Sequence, residues 1–450
     1  MIIRFNISNF LSFDKETEFN MLAGNVRRHP EHVMKFKNIK LLKSSIIYGA
    51  NGSGKTNFIY GLSVLQEIIM SGELLGFSDS NKFKLNPKNK SLPITFEIEF
   101  VWNNKAYAYG ISFHENLIEE EWLFQLGFPN KNESLIFERK TNTKGKSKLK
   151  FHPKYLKTEK SRLLKEVYEE DLLKKDVPFL NLARKRNFKE IKDCYEWFMD
   201  GMLIISPESR FTALASIMDN NEDFQKFANK TISELDTGIK KLKIKTIDFD
   251  VFFGEDNLAE RDRVLKLVND GEDVPIGDSN AVAYLENGRP VVKKLYSIHE
   301  SQQSGEVEFE LFEESQGSLR LFDFLPLIFL ALKENVTIII DEIDQSLHIN
   351  LLRELIAKIQ RESNLMGQLI FTTHESNLLD LDLFRQDEIW FTEKDKNGAS
   401  NLYPLSDYDI RTEMDVSKGY LSGRFGAIPF LGNLKDLNWL ENGKKAEPSL

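Results

Sequence analysis

Apolar and polar positions along the chain fall into three regimes. To about residue 125 they alternate or run on: "IIRFNI" predicts a strand, "SSIIY" a buried one, and "ITFEIEFVWNNKAYAYGISF" two strands joined at Asn103 and Asn104. One helix interrupts them, "TNFIYGLSVLQEIIMSG", its apolar positions recurring at three and four and its end marked by Gly72. From about 125 to 300 short polar helices such as "SRLLKEVYEEDLLKK" and "ARKRNFKEIKDCYEWFMDG" mix with isolated strands. A hairpin, "AVAYLENGRPVVKKLY", turned by Asn287 and Gly288, closes that region. After residue 300 strands and helices alternate: "VEFELF", "SLRLFDFLPLIFLALKE", "VTIIIDE", "SLHINLLRELIAKIQRES" and "GQLIFTTHE". Ile-rich strands separated by helices predict a parallel sheet covered on both faces. The expected organisation is therefore one α/β domain built from residues 1–125 and 301–450, split by an inserted α+β region, 126–300.

Within this pattern, "GANGSGKT" follows the strand "SSIIY" and opens the first helix. Glycines at 49 and 54 let the backbone curl so that its N–H groups face a phosphate, Lys55 reaches β and γ phosphates, and Thr56 holds magnesium. The plain alternative is a strand-to-helix turn. The fixed positions in the strand–loop–helix context the motif requires favour a nucleotide.

Three further elements fit that reading. "VTIIIDE" sets Asp341 and Glu342 at the carboxyl end of a buried strand, where open α/β sheets bind ligands. Asp341 is expected to hold magnesium, and Glu342 to act as general base on water. "FTTHE" presents His374 at the end of the next strand, within reach of a γ-phosphate. Ser315, Gly317 and Ser318 precede a long apolar helix whose free N–H groups and positive end face whatever docks there; alone, they describe a capped helix.

Composition narrows the class. A 450-residue chain with 41% hydrophobic and 29% charged residues can fill two lobes and is not of disordered type. Its one cysteine, Cys194, can form neither an intrachain disulfide nor a cysteine-rich zinc site, and is expected to be a small buried apolar residue. No apolar run approaches the ~20 residues of a membrane span, and the start lacks the features of a secretion signal, so the expectation is a cytoplasmic protein away from membranes. A net charge of −9 argues against a surface wholly devoted to nucleic acid. Residues 139–165 nevertheless carry eleven Lys or Arg against one acid, Glu159. The sequence there alternates around "TNTKG", predicting a hairpin with a solvated lysine face; contact with nucleic acid or an acidic protein is the alternative.

Taken in order, "GKTN", "SQGS", "IIIDE", "SLH" and "TTHE" resemble the ATP-binding cassette ATPases, and within them the branch related to structural-maintenance-of-chromosomes and overcoming-lysogenization-defect proteins. "ISNFLSF" and "YLSGRFGAIPFL" also look like the ATPase subunits of bacterial anti-phage systems of PARIS and RloA type. The resemblance implies a cassette head with a parallel core sheet and an antiparallel β-subdomain. It implies ATP and Mg2+ as cofactors, held by Gly49, Asn51, Gly52, Gly54, Lys55, Thr56 and Asn57, with Thr56 and Asp341 on the metal and Lys55, Glu342 and His374 in catalysis. It further implies a homodimer or higher homo-oligomer in which Ser315, Gly317 and Ser318 cover the partner's nucleotide, and Ser346, Leu347 and His348 sense the partner head. The signature departs from the family in lacking a second glycine, and Gln125 is the candidate for the glutamine that joins magnesium.

The resulting functional expectation is an ATPase switch in anti-phage defence that controls a separate effector, such as a nuclease. The alternatives are a DNA-repair ATPase using the basic hairpin, and an assembly scaffold that binds ATP with little turnover. Asp380 and Asp382 are expected to form a solvated turn rather than a nuclease site. A transporter ATPase does not suit the long insertion, and no NKxD motif points to guanine.

Overall fold

The computed structural model describes residues 1–427 except 75–78, 129–131, 185–187, 212–213, 236, 256, 278–279, 302, 304 and 411–414. The last part of "YLSGRFGAIPFL" and the start of the helix expected at "ARKRNF" thus lie partly outside the described residues.

The chain begins with β1 (Ile2–Ser8) and β2 (Thr17–Asn20), then a small hairpin of β3 (Val33–Phe36) and β4 (Ile39–Leu42). Strand β5 (Ser44–Tyr48) is buried at every position and leads through the glycine loop into α1 (Lys55–Ser71). Helix α1 stops at Gly72, whose φ of 77° lets its N–H turn back to the Ile68 carbonyl. Four long antiparallel strands follow, β6 (Ile94–Trp102), β7 (Lys105–His114), β8 (Leu117–Gly127) and β9 (Asn132–Thr141), with β10 (Ser147–Phe151) completing the run. Asn103 and Asn104 both take positive φ at the β6–β7 turn, as a two-residue hairpin of this hand requires.

These strands form a seven-stranded antiparallel sheet in the order β10-β9-β8-β7-β6-β1-β2. The sheet runs past residue 125. The basic segment contributes its β9–β10 hairpin to it, with Arg139 fully buried, Lys140 paired with Glu120 and Glu138, and Lys150 with Glu138. With Lys165, which pairs with Glu169, four of the eleven cations are thus committed to the protein's own acids.

Next come α2 (Glu159–Val167), α3 (Phe179–Ala183), α4 (Lys189–Asp200) and the short strand β11 (Met202–Ile205). They pack on the same core as the first sheet and α1: Phe179, Leu180, Ile191, Trp197 and Phe198 are all buried in it, and so is the lone thiol of Cys194. Trp197 stacks on Phe100 of β6 with ring centroids 4.0 Å apart. A separate lobe then forms from α5 (Leu214–Asn220), α6 (Glu222–Glu234), β12 (Ile239–Asp248), α7 (Phe249–Phe253), α8 (Leu258–Asn269), β13 (Val274–Ile276), β14 (Ala281–Glu286), β15 (Arg289–Ser301) and β16 (Gly305–Glu310). The stretch expected as one insertion therefore divides between two cores.

Helix α9 (Gln316–Lys333) carries apolar residues on most of its surface and is covered on both sides. Phe322 and Leu325 pack into the inserted lobe, while Leu321, Phe324 and Leu327 pack under the core sheet. The chain ends with β17 (Thr337–Ile340), α10 (Ile349–Arg361), β18 (Gln368–Thr373), β19 (Ile389–Lys394), β20 (Ser400–Pro404) and α11 (Val416–Leu421).

The second sheet has the order β11-β17-β18-β5-β19-β20. All its pairings are parallel except that of edge strand β20. Strand β5, from the start of the chain, lies between β18 and β19, from its end. The fold is α/β, a parallel core sheet beside an antiparallel one, with an α+β lobe inserted. No described helix is long and apolar enough to cross a membrane.

Candidate functional site

Parallel strands direct their carboxyl ends to one edge of the core sheet, so the segments after β5, β17 and β18 meet there. The loop after β5 curls back on itself: the buried Lys55 side chain donates through Nζ to the carbonyl oxygens of Gly49 at 2.6 Å and Ala50 at 3.3 Å. Burial holds the Lys55 ammonium below its ordinary pKa, and the charges of Glu342, Asp341 and Asp344 act in the opposite direction. Three carboxylates from the C-terminal part of the chain thus face a lysine from the N-terminal part.

The loop has no room for larger residues at its end. Gly54 takes φ 117°, and a Cβ there would collide with the hydroxyls of Ser400 and Ser12. Ser400 Oγ donates to the Ser53 carbonyl at 2.5 Å, and Asn57 Nδ2 to Ser12 Oγ at 2.9 Å, tying the loop to β20 and to the "ISNFLSF" segment. Ser53 Oγ is buried without a hydrogen-bond partner. A cleft of about 180 Å³ is lined by Asn51, Gly52, Ser53, Gly54, Lys55, Thr56, Asn57 and Glu342. The first-turn N–H groups of α1 have no intrahelical acceptor by the geometry of a helix start. Curled backbone, ammonium, hydroxyl and an unpaired buried oxygen suit a polyphosphate with a divalent ion.

Across the cleft, Asp341 is buried at the end of β17. Thr372 of β18 donates its hydroxyl to Asp341 Oδ1 at 2.5 Å and accepts from the Glu342 N–H at 2.8 Å. Glu342 has a left-handed backbone, φ 52°, unusual for a side chain of its type. That conformation turns the chain sharply after Asp341, and the Glu342 side chain lines the cleft.

His374 is more than half exposed, and its Nδ1 lies 3.1 Å from Asp344 Oδ2. It lines an adjoining cleft of about 610 Å³ that shares Gly49, Ala50, Asn51, Gly52 and Ser53 with the glycine loop. Glu342 and His374 therefore flank the loop from two sides. Asp344 and Thr372, which hold the two in place, were not singled out in the sequence. Their only signal there was proximity to the motifs.

Other expected residues lie apart. Ser315 caps α9, accepting from Ser318 N at 3.1 Å, with the two hydroxyls 3.0 Å apart. Neither they nor Gly317 line the clefts around Lys55. Gly317 instead abuts the loop after Glu342: a Cβ there would sit 2.8 Å from the Ser346 carbonyl oxygen. His348 caps α10, and Leu347 is buried. Gln125 lies on β8, opposite Tyr107 and Ser134, away from both clefts. Asp380 pairs with Arg353, and Asp382 with Arg28.

The protein family described as "AAA domain, putative AbiEii toxin, Type IV TA system" matches residues 44–380, about three quarters of the chain. The chain belongs to that family. The matched span of this AAA protein starts at the first residue of β5 and takes in the glycine loop, Ser315–Ser318, Asp341, Glu342 and His374. No curated protein matches it. Among solved structures it is similar to an SMC head domain from Thermotoga maritima, 13% identical with a TM-score of 0.39 over 91% of this chain and 99% of that one. It is also similar to an SmcHead bound to the C-winged helix domain of ScpA, 14% identical with a TM-score of 0.44 over 92% and 98%.

Proposed function

We propose that this AAA protein binds ATP with Mg2+ between the glycine loop and Asp341, hydrolyses it as a head-to-tail homodimer or larger homo-oligomer, and thereby switches a separate effector. The single observation that carries the reading is the placement of β5 between β18 and β19, which sets Lys55 against Asp341, Glu342 and Asp344. In this assignment the backbone of Gly49, Asn51, Gly52 and Gly54 receives the phosphates, Asn57 fixes the loop, and Lys55 leaves the Gly49 carbonyl to meet them. Thr56 and Asp341 would hold the metal. When bound, Mg2+-ATP supplies an electrophilic γ-phosphorus and a leaving group whose charge the metal offsets.

Glu342 takes a proton from water, and the Thr372 hydroxyl keeps Asp341 aimed. Asp344 accepts from His374 Nδ1, so His374 presents Nε2 to the cleft. Ser315, Gly317 and Ser318 lie outside their own chain's clefts. That supports a role on the nucleotide of a second copy, with Ser346 relaying the contact back to Glu342 through Gly317. The family's description as part of a toxin–antitoxin system supports a defence setting for the effector.

Glu342→Gln tests the assignment. Nucleotide content, steady-state hydrolysis and light-scattering mass are measured on the purified full chain. ATP should stay bound, turnover should fall by at least ~100-fold, and a species of twice the mass should accumulate with ATP. Hydrolysis at the parent rate would remove Glu342 as the base.

A further inference from the structure

At the opposite end of β5 a second cluster is built from the sequence "HPEH". His29, Glu31 and His32 each offer a donor atom, and these atoms lie within 4.8 Å of one another. We propose that they form a binding site for one divalent transition ion of the zinc class, unrelated to the nucleotide's magnesium.

Hydrogen bonds to the far side of each ring carry the argument. His29 Nε2 lies 2.9 Å from the carbonyl oxygen of Leu381, which can only accept, so Nε2 bears the proton. His32 Nδ1 lies 3.0 and 3.2 Å from the two carboxyl oxygens of Glu388. That carboxylate also accepts from Arg385 N at 2.7 Å and Ser44 Oγ at 3.0 Å, so it acts as acceptor toward His32 too. The nitrogens left with lone pairs are His29 Nδ1 and His32 Nε2. They face the same atom, Glu31 Oε1, at 3.4 and 3.8 Å.

Two lone pairs and a carboxylate oxygen converging on one point repel unless a cation sits among them. Tetrahedral coordination at ~2.0–2.2 Å separates neighbouring donor atoms by ~3.3–3.5 Å; the His29–Glu31 pair is at 3.4 Å, while the 3.8 Å His32–Glu31 pair and the full span, within 4.8 Å, would close on an ion. Two imidazoles and one carboxylate are ligands of zinc-like ions with a position open to water, whereas magnesium prefers oxygen. Each histidine anchored on its far side by a carboxylate or a carbonyl matches the outer sphere that orients metal-bound imidazoles. The neighbouring Lys43 is engaged elsewhere, its Nζ donating to the Glu362 carbonyl at 3.1 Å.

The two rings now stack at 15° with centroids 4.7 Å apart. A bound ion would pin the 29–32 turn against the segment 381–388.

The test uses the full chain, with any affinity tag removed, stripped by chelator and then titrated. Zn2+ is followed by calorimetry and Co2+ by visible absorption. One ion per chain should bind, with ligand-field bands of a four- or five-coordinate cobalt site, and Zn2+ should raise the melting temperature. His29→Gln and Glu31→Gln, both at partly exposed positions, should each weaken binding by more than the ~10- to 100-fold that loss of an outer partner costs. They should melt like the parent in chelator, and Lys55→Ala should bind zinc as the parent does. No saturable binding, as expected if the histidines merely carry protons toward Glu31, overturns the proposal. So does zinc binding indifferent to both substitutions, which would be adventitious.

Discussion

Thr372 Oγ1 stands 2.5 Å from Asp341 Oδ1 and accepts the N–H of Glu342 with its own lone pair. One hydroxyl on β18 thus fixes two neighbouring acids at the end of β17. Thr372→Val keeps the shape and removes both bonds, and leaving a buried N–H and carboxylate short of partners costs ~1–3 kcal/mol. ATP turnover should fall ~10- to 100-fold with a raised Mg2+ requirement, and Thr372→Ser should recover most of it. Steady-state kinetics across a magnesium series checks both.

Asp344 carries one carboxylate oxygen on His374 and a second that is buried without a hydrogen-bond partner. Asp344→Asn replaces the carboxylate oxygen against which His374 Nδ1 is oriented. We expect kcat to drop ~10-fold or more with little change in KM for ATP. A change confined to KM would make Asp344 part of nucleotide binding instead.

Gly317 and the Ser346 carbonyl leave no space for a methyl group. Gly317→Ala forces the α9 start and the loop after Glu342 apart, at ~1–3 kcal/mol of overpacking. Because Gly317 does not line the clefts around Lys55, ATP affinity of the isolated chain should persist while ATP-dependent dimerisation and turnover fall. Nucleotide titration beside light scattering separates the two.

The buried pair of Arg139 and Glu121 stands 3.7 Å apart, the arginine also donating to the Val177 and Lys174 carbonyls, the glutamate accepting from Phe179 N and Leu180 N. Removing the cation alone, Arg139→Met, should cost ~3–5 kcal/mol in urea unfolding. Glu121→Gln added to it should return part of the loss, measured as a double-mutant cycle.

The sequence made some of this architecture legible. The limits of α1 follow from Gly54 and Gly72, and the β6–β7 turn from Asn103-Asn104, because positive φ selects those residues. Apolar runs with turn residues at their ends are visible without coordinates. Other features are not. "MLII" is too short a run to announce a strand, yet β11 extends the core sheet beside β17. Arg139 looked like part of a basic surface, and only the pairing of β9 with β8 turns it inward against Glu121. At the site, Lys55, Asp341 and Glu342 stand out by motif, whereas Thr372 and Asp344 are ordinary residues whose roles rest on distances. The His32 anchor, Glu388, lies more than 350 residues away along the chain.

The placement of β5 has a consequence for biosynthesis. When "SSIIY" leaves the ribosome, the nearer of its two flanking strands begins some 320 residues later, at Gln368. At ~5–20 residues per second that interval is roughly 15 to 65 s, during which a strand that is buried at every position in the finished fold has two open edges. The antiparallel sheet and α1 can assemble meanwhile and shelter one face. A nascent chain halted before Gln368 would still present those edges, so chaperone capture should be greatest for such stalled products and end once β19 has docked.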